Sequence, residues 1–132
     1  MKEPLWIDRE QTLAIHARQI SEHGGSSGVR DENLLDSALA RPQNLLAYSE
    51  KQPSLARLAA AYAFGIVRNH PFIDGNKRTA LVVSFTFLIL HGIVITAIRE
   101  ERYFMFYDLA AGHVSEEDLA AWFEKNSAPA VG

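Results

Sequence analysis

Two apolar segments separated by a short polar stretch govern what this chain can fold into. Residues 55–67 carry apolar side chains at i, i+3 and i+4 spacing, which predicts a helix with one buried face. Nine of the eleven residues 80–90 are apolar, so we expect this second segment to be central to the core. Residues 83–87 alternate in a way that also suits a strand, but the length of the segment favours a helix.

The other helices are marked at their ends. Asp8 with Gln11 and Ser115 with Asp118 have the spacing of capping boxes, and Asp31 is a further N-cap. Glycines at positions 24, 25, 92 and 112 are predicted to stop helices, because glycine adopts the left-handed backbone easily. The apolar stripe expected on the first helix consists of Leu13, Ile15, Ala17 and Ile20.

The second helix is predicted to stop at Pro42, because proline lacks the N–H that a helix interior needs. Residues 43–53 are then predicted to form a short flap, whose Leu45, Leu46 and Tyr48 belong either to the core or to a substrate-docking surface. Residues 127–132 are predicted to form a loose tail.

The predicted fold class is all-α, a compact bundle of about six helices around a hydrophobic central helix. A length of 132 residues suits a single domain, 1–132, with an ordered core of about 7–126.

Composition narrows the possible functions. Cysteine is absent, which excludes disulfides, thiolate metal sites and a thiol nucleophile. The net charge of -3 argues against direct binding to nucleic acid. No signal peptide is visible, and no apolar run is long enough to span a bilayer. We therefore expect no membrane association and a cytoplasmic location.

The polar stretch, residues 70–79, holds groups suited to phosphate chemistry: a histidine, an acid, a glycine, an amide and two cations. It is not a P-loop, because the Walker spacing and the preceding strand are absent. A metal hydrolase is disfavoured, because His70 and Asp74 have no third ligand nearby. The glycine-rich residues 24–28 are either a connector or, less well supported, a second phosphate loop.

The polar stretch resembles the signature of the Fic/Doc family, His-x-Phe-x-(Asp/Glu)-Gly-Asn-x-Arg. Every defined position is filled, by His70, Phe72, Asp74, Gly75, Asn76 and Arg78. The early glycine pair, residues 29–31 and residues 40–42 are similar to the death-on-curing (Doc) branch of the family. The resemblance covers most of residues 7–126.

The resemblance implies a role for each matching residue. His70 would be the general base on a target hydroxyl, which an imidazole can perform at neutral pH. Asp74 would hold Mg²⁺, a cation that prefers hard oxygen ligands and bridges phosphates. Phe72 would anchor the loop in the core, which is a structural role.

The same resemblance implies how the triphosphate of ATP would be bound. Gly75, Asn76 and Lys77 would form an anion hole at the start of a helix. Arg78 would neutralise phosphate charge with a fork suited to two oxygens. Arg68, two residues before the histidine, is a further candidate phosphate contact.

Lys77 bears on which group is transferred. Adenylylating Fic enzymes typically have glycine at this position, whereas Doc toxins carry a cation there and transfer the terminal phosphate. The resemblance therefore implies kinase-type transfer to a protein hydroxyl, with a translation elongation factor as the target class. Gly75 differs from the alanine of the founding Doc pattern, so adenylylation remains an alternative. A catalytically silent binding module that keeps the fold is the second alternative.

The resemblance also implies regulation by an antitoxin protein in trans. Many Fic proteins instead carry an inhibitory Ser/Thr-x-x-x-Glu-Gly/Asn helix. Thr96 with Glu100 is the nearest match, but Glu101 follows where Gly or Asn is expected. An exposed apolar groove would suit an antitoxin segment. The aromatic residues from Tyr103 to Tyr107 are interpreted as packing in preference to nucleotide stacking.

Overall fold

The computed structural model describes residues 3–131, and within them the chain forms six helices and two short strands. In chain order these are Arg9–His23 (α1), Glu32–Tyr48 (α2), Leu55–Asn69 (α3), Asn76–Leu90 (α4), Ile93–Ile95 (β1), Arg99–Ala111 (α5), Glu116–Lys125 (α6) and Ser127–Pro129 (β2). The predicted all-α class is confirmed. No helix within the described range is both long and apolar enough to cross a membrane.

Two of the helices begin at capping boxes that the sequence marks. Asp8 and Gln11 form the predicted capping box of α1, which stops at Gly24 with φ at 82°. Ser115 and Asp118 form the second capping box, at the start of α6. Local hydrogen bonds therefore define these helix starts.

The most deeply buried element is α3, ten of whose fifteen residues are buried. Five of these are alanines, and short side chains let α2, α4, α5 and α6 all pack against the same helix. The segment 80–90 is helical as predicted but is not the centre of the bundle. It buries one face, and Ile89 and Leu90 at its end are 55% and 43% exposed.

The predicted break at Pro42 is wrong, because α2 continues through the proline to Tyr48. Proline removes one helical hydrogen bond, and here its side chain is buried among the packed helices. The flap predicted at 43–53 is therefore wrong for residues 43–48, which are helical. The non-helical residues that remain, 49–54, lie at the N-terminal end of α3. His70 lies at the opposite end of this helix, about 22 Å away along its axis. Leu45 and Leu46 pack against the core, whereas Tyr48 is exposed.

The predicted loose tail is wrong for residues 127–129. Ser127–Pro129 pairs antiparallel with Ile93–Ile95, and Val94 lies opposite Ala128. Thr96 N–H donates to the Asn126 carbonyl (2.7 Å), which extends the pairing. Backbone pairing needs no side-chain pattern, so the sequence carries no periodic signal for it. Residues 1, 2 and 132 lie outside the described part of the chain.

Candidate active site

The polar stretch connects α3 to α4, and His70 is the first residue of the connection. His70 adopts the left-handed conformation (φ 50°, ψ 54°) and closes the C-terminus of α3. This conformation is uncommon for a non-glycine residue and needs support from its surroundings. Arg30 supplies that support, donating to the carbonyl oxygens of His70 (2.7 Å) and Asn69 (2.9 Å). The imidazole itself is exposed.

The segment that connects α1 to α2 runs beside the loop and holds it through backbone hydrogen bonds. Ile73 N–H donates to the Gly28 carbonyl (3.2 Å), and Val29 forms an isolated bridge with Phe72. Arg30 N–H donates to the Pro71 carbonyl at 2.7 Å. The glycine-rich residues 24–28 are thus a connector, which was the first of the two interpretations of this segment. The connector also contacts the loop directly.

Phe72 and Asn76 hold the middle of the loop in place. The Phe72 side chain is fully buried, which is the position that an anchor requires. Asn76 is 5% exposed, and its side-chain amide accepts from Phe72 N–H (3.0 Å) and donates to the Phe72 carbonyl (2.9 Å). Both polar atoms of the Asn76 side chain are thus engaged within the loop, and the part predicted for Asn76 in the anion hole stays a prediction. Only its backbone N–H remains for an anion.

Asp74 presents a carboxylate that backbone groups hold from two sides. Its oxygens accept from Ser26 N–H (3.2 Å) and from Gly75 N–H (2.9 Å). These bonds, Ser26 first, keep the pKa of Asp74 below its ordinary value, so the charged form is favoured. A Cβ on Gly25, which has φ +115°, would lie 2.7 Å from a carboxylate oxygen of Asp74. Glycine at position 25 therefore lets the loop approach the carboxylate.

The start of α4 is open to an anion. Gly75, in the left-handed conformation at φ 77°, is its N-cap, and among residues 3–131 no side chain caps this helix. The first backbone N–H groups of α4 therefore point toward whatever lies in front of it, and the helix dipole adds partial positive charge. Lys77 and Arg78, both exposed, extend from this first turn.

One cavity of about 270 Å³ collects these groups, lined by Val67, His70, Asp74, Gly75, Asn76, Lys77, Arg78 and Ala110. Arg68 does not line it. Its guanidinium lies over the Phe64 ring, 5.7 Å from the centroid. Side chains two residues apart on a helix differ in direction by roughly 200°. Arg68, two residues before His70, therefore projects from the other side of the helix end. The prediction that Arg68 is a phosphate contact is not supported by its position.

The donor set of this cavity fits a magnesium–nucleotide complex better than a protein-only metal site. No cluster of three histidine, cysteine or acidic side chains within the described residues could hold a metal ion. Mg²⁺ needs only one or two carboxylates when phosphate oxygens and water complete its shell. Asp74 supplies one carboxylate, charged and fixed in orientation, next to a helix start suited to phosphate.

A second, larger cavity of about 650 Å³ adjoins the first and shares Lys77 and Arg78 with it. We call it the aromatic groove; its other lining residues are His23, Leu81, Arg99, Glu100, Tyr103, Phe104, Phe106 and Tyr107. The interpretation of its aromatic residues as packing is correct for buried Phe106 but wrong for the others. Tyr103, Phe104 and Tyr107 are 47%, 70% and 63% exposed. Within the described range Glu100 makes no ion pair with Arg78, so the Thr96–Glu100 match does not block the site in this structure.

His16 is a residue of this site that the sequence did not reveal. The stripe predicted on α1 is only partly correct: Leu13 and Ile15 pack half-buried against the core and Ala17 is exposed, whereas the fully buried residues of the helix are Thr12, His16 and Gln19. His16 stacks on Phe72, with ring centroids 3.8 Å apart, and its Nε2 lies 2.8 Å from the Asp74 carbonyl oxygen. A polar face at i, i+4 and i+7 spacing is the one signal that could have indicated this contact.

Comparison with known proteins agrees with the geometry. The model of the Fic/DOC family matches residues 6–88, which include the whole loop. The "Toxin Doc" of Mycolicibacterium smegmatis is 42% identical over 92 residues, 70% of this chain and 68% of that protein. The "Protein kinase doc" of Escherichia phage P1 is 35% identical over 89 residues, 67% of this chain and 70% of that protein. With this family match and these identities, the chain belongs to the Fic/DOC family.

Proposed function

We propose that this protein is a Doc-type toxin that transfers the terminal phosphate of ATP to a hydroxyl group of a target protein. The observation that carries the proposal is the single cavity shared by His70, Asp74 and the open start of α4. The names of the two relatives, a toxin and a protein kinase, support the same activity. A translation elongation factor is the target class that we propose, which makes inhibition of translation the outcome.

The residues of the site have two kinds of role in the reaction: His70 removes a proton, and the others neutralise charge. His70 accepts the proton of the target hydroxyl while that oxygen bonds to the γ-phosphorus and the bond from this phosphorus to the ADP oxygen breaks. The start of α4 and Arg78 orient the phosphate oxygens and offset their charge. Asp74 would hold Mg²⁺, which would supply positive charge to offset the charge of the phosphates. Phosphoryl transfer depends mostly on such placement and electrostatics.

Lys77 favours transfer of phosphate over transfer of AMP. Its long cationic side chain lines the small cavity, at the motif position where adenylylating Fic enzymes typically have glycine. Labelled ATP separates the reactions. Label from the γ-phosphate on the target supports the proposal, and label from the α-phosphate supports adenylylation. If neither label is transferred, the silent binding module is the correct alternative. His70→Ala, which alters an exposed side chain, is the matched control and is expected to transfer neither label.

We further propose that a segment of an antitoxin protein occupies the aromatic groove. The groove exposes Tyr103, Phe104 and Tyr107, and it reaches Lys77 and Arg78 at its edge with the small cavity. A bound segment with an acidic residue at that edge would compete with nucleotide phosphates for the two cations.

Growth of cells that co-express toxin and cognate antitoxin tests this placement. Phe104→Glu puts a charge into the groove, so we expect the variant to stay toxic in the presence of antitoxin. Ile98→Glu is the matched control, because Ile98 is similarly exposed (60%) but lies outside the groove. Neutralisation of both variants alike would place the antitoxin elsewhere.

A further inference from the structure

We propose that His16 is a positioning residue that sets the orientation of the Asp74–Gly75 peptide and, through it, of the metal-binding carboxylate and the anion site. The catalytic part of this inference rests on the proposed function. The structural part rests on contacts within the chain alone.

The hydrogen bond between His16 and the loop has a defined donor and a defined acceptor. His16 is 4% exposed, and its Nε2 lies 2.8 Å from the Asp74 carbonyl oxygen. A carbonyl oxygen only accepts hydrogen bonds, so Nε2 carries the proton and donates. The imidazole ring lies nearly parallel to Phe72, at an interplanar angle of 7°. The donor is therefore attached to a ring that the anchor of the loop holds flat.

The planar peptide bond links the orientation of the Asp74 carbonyl to that of the Gly75 N–H. In a trans peptide the carbonyl and the next N–H point in opposite directions. Because His16 holds the Asp74 carbonyl toward α1, the Gly75 N–H is directed away from α1. That N–H donates to Asp74 Oδ1 at 2.9 Å, so it helps to fix the carboxylate. The same peptide leads into Gly75, the N-cap from which the first N–H groups of α4 follow.

The space around Gly75 is consistent with this role. A Cβ at that position would lie 3.7 Å from His16 Nε2 and 3.2 Å from the Ile20 side chain. His16 and Ile20 thus form a wall of α1 behind the N-cap. Groups that orient metal ligands from behind typically change metal affinity or activity by about 10- to 100-fold when removed.

Two substitutions separate the hydrogen bond from the packing. His16→Phe keeps a flat ring for stacking on Phe72 and removes the donor. His16→Gln keeps an amide donor of similar reach and removes the ring. Gln19→Leu is the matched control, since Gln19 lies on the same buried face of α1 and makes no hydrogen bond to the loop within residues 3–131. Thermal unfolding checks that each variant folds.

Hydrogen exchange of the Gly75 amide, measured without nucleotide, is the first readout. We expect faster exchange in His16→Phe, exchange near that of the wild type in His16→Gln, and no change in Gln19→Leu. The second readout is the Mg²⁺ concentration that gives half-maximal phosphate transfer, which should rise about 10- to 100-fold in His16→Phe and largely recover in His16→Gln.

Wild-type exchange and wild-type Mg²⁺ dependence in a folded His16→Phe protein would overturn the proposal. Should His16→Phe not fold, His16→Gln decides, and unprotected Gly75 in the folded glutamine variant also overturns it. If the wild type transfers no phosphate at all, the proposed function fails, while the exchange measurements still decide the role of His16.

Discussion

Arg57 and Arg78 both lie on helices of this protein, but the charged groups around them differ. Arg57 is 25% exposed and pairs with Glu116, which is itself 4% exposed and also pairs with Arg41 at 2.6 Å. Arg78 lies at the start of α4 beside Lys77, and within the described residues neither cation forms a salt bridge. One group of cations is paired with carboxylates within the chain, and the other has no carboxylate partner among residues 3–131.

The difference distinguishes structural charge from functional charge. The Glu116 cluster joins α2, α3 and α6, and it needs nothing from outside the chain. At α4, two cations stand at the positive end of a helix dipole, an arrangement that disfavours the folded state until an anion arrives. Sites arranged for binding commonly reduce stability in this way. The predictions below test this distinction.

Arg78→Ala is expected to have the largest effect. Removing the cation that neutralises phosphate charge should slow phosphate transfer by roughly 10³-fold or more, as for arginines that stabilise phosphoryl transfer. The melting temperature should stay the same or rise. Arg41→Ala is the matched control, and its transfer rate should remain that of the wild type. Equal loss of activity in both variants would contradict the division into two groups.

Arg57→Met is expected to show the reverse behaviour. It leaves buried Glu116 with one partner instead of two, so the free energy of unfolding should fall by about 2 kcal/mol, the scale of a hydrogen bond to a charged group. Urea denaturation measures the change. Phosphate transfer per folded molecule should not alter. A stable Arg57→Met protein with impaired transfer would show that the cluster belongs to the active site after all.

Lys77→Glu should stabilise the fold while it impairs function. An acid in place of a base in the first turn of α4 interacts favourably with the helix dipole, which is worth about 0.3–1 kcal/mol. Lys125→Glu, at the C-terminal end of α6, is the control and should be destabilising. Chemical denaturation measures both changes, and two shifts of the same sign would rule out the dipole argument.

The smallest expected effect is the pH dependence caused by Asp74. Its pKa is lowered in the folded protein from an ordinary value of 3.8, chiefly by the Ser26 N–H bond. A depressed pKa contributes stability that is fully present above the ordinary value and is lost as the pH falls below it. The stability advantage of the wild type over Asp74→Asn should therefore shrink below about pH 4. Unfolding free energies at several pH values measure the difference, and a constant advantage would contradict it.

The parts of this protein that depend on local chemistry were predictable from the sequence. Capping residues such as Asp8 and Ser115 satisfy backbone N–H groups of the next turn, so the helix starts they mark are correct. The loop residues His70, Asp74 and Lys77 were all indicated, and the structure brings them to one cavity. Nine consecutive residues hold most of that site, so little chain folding is needed to assemble it.

Tertiary structure decided the rest, because those features depend on which surfaces meet. Pro42 stays helical since packing of α2 on α3 outweighs a local preference. The loop is held from behind by His16 and Arg30, which lie 40 or more residues away in the chain. By itself, the sequence determined most helix starts and the order of chemical groups along the loop. Only the packed structure determined which of those groups face the cavity, because burial and hydrogen-bond partners are set by segments distant in the chain.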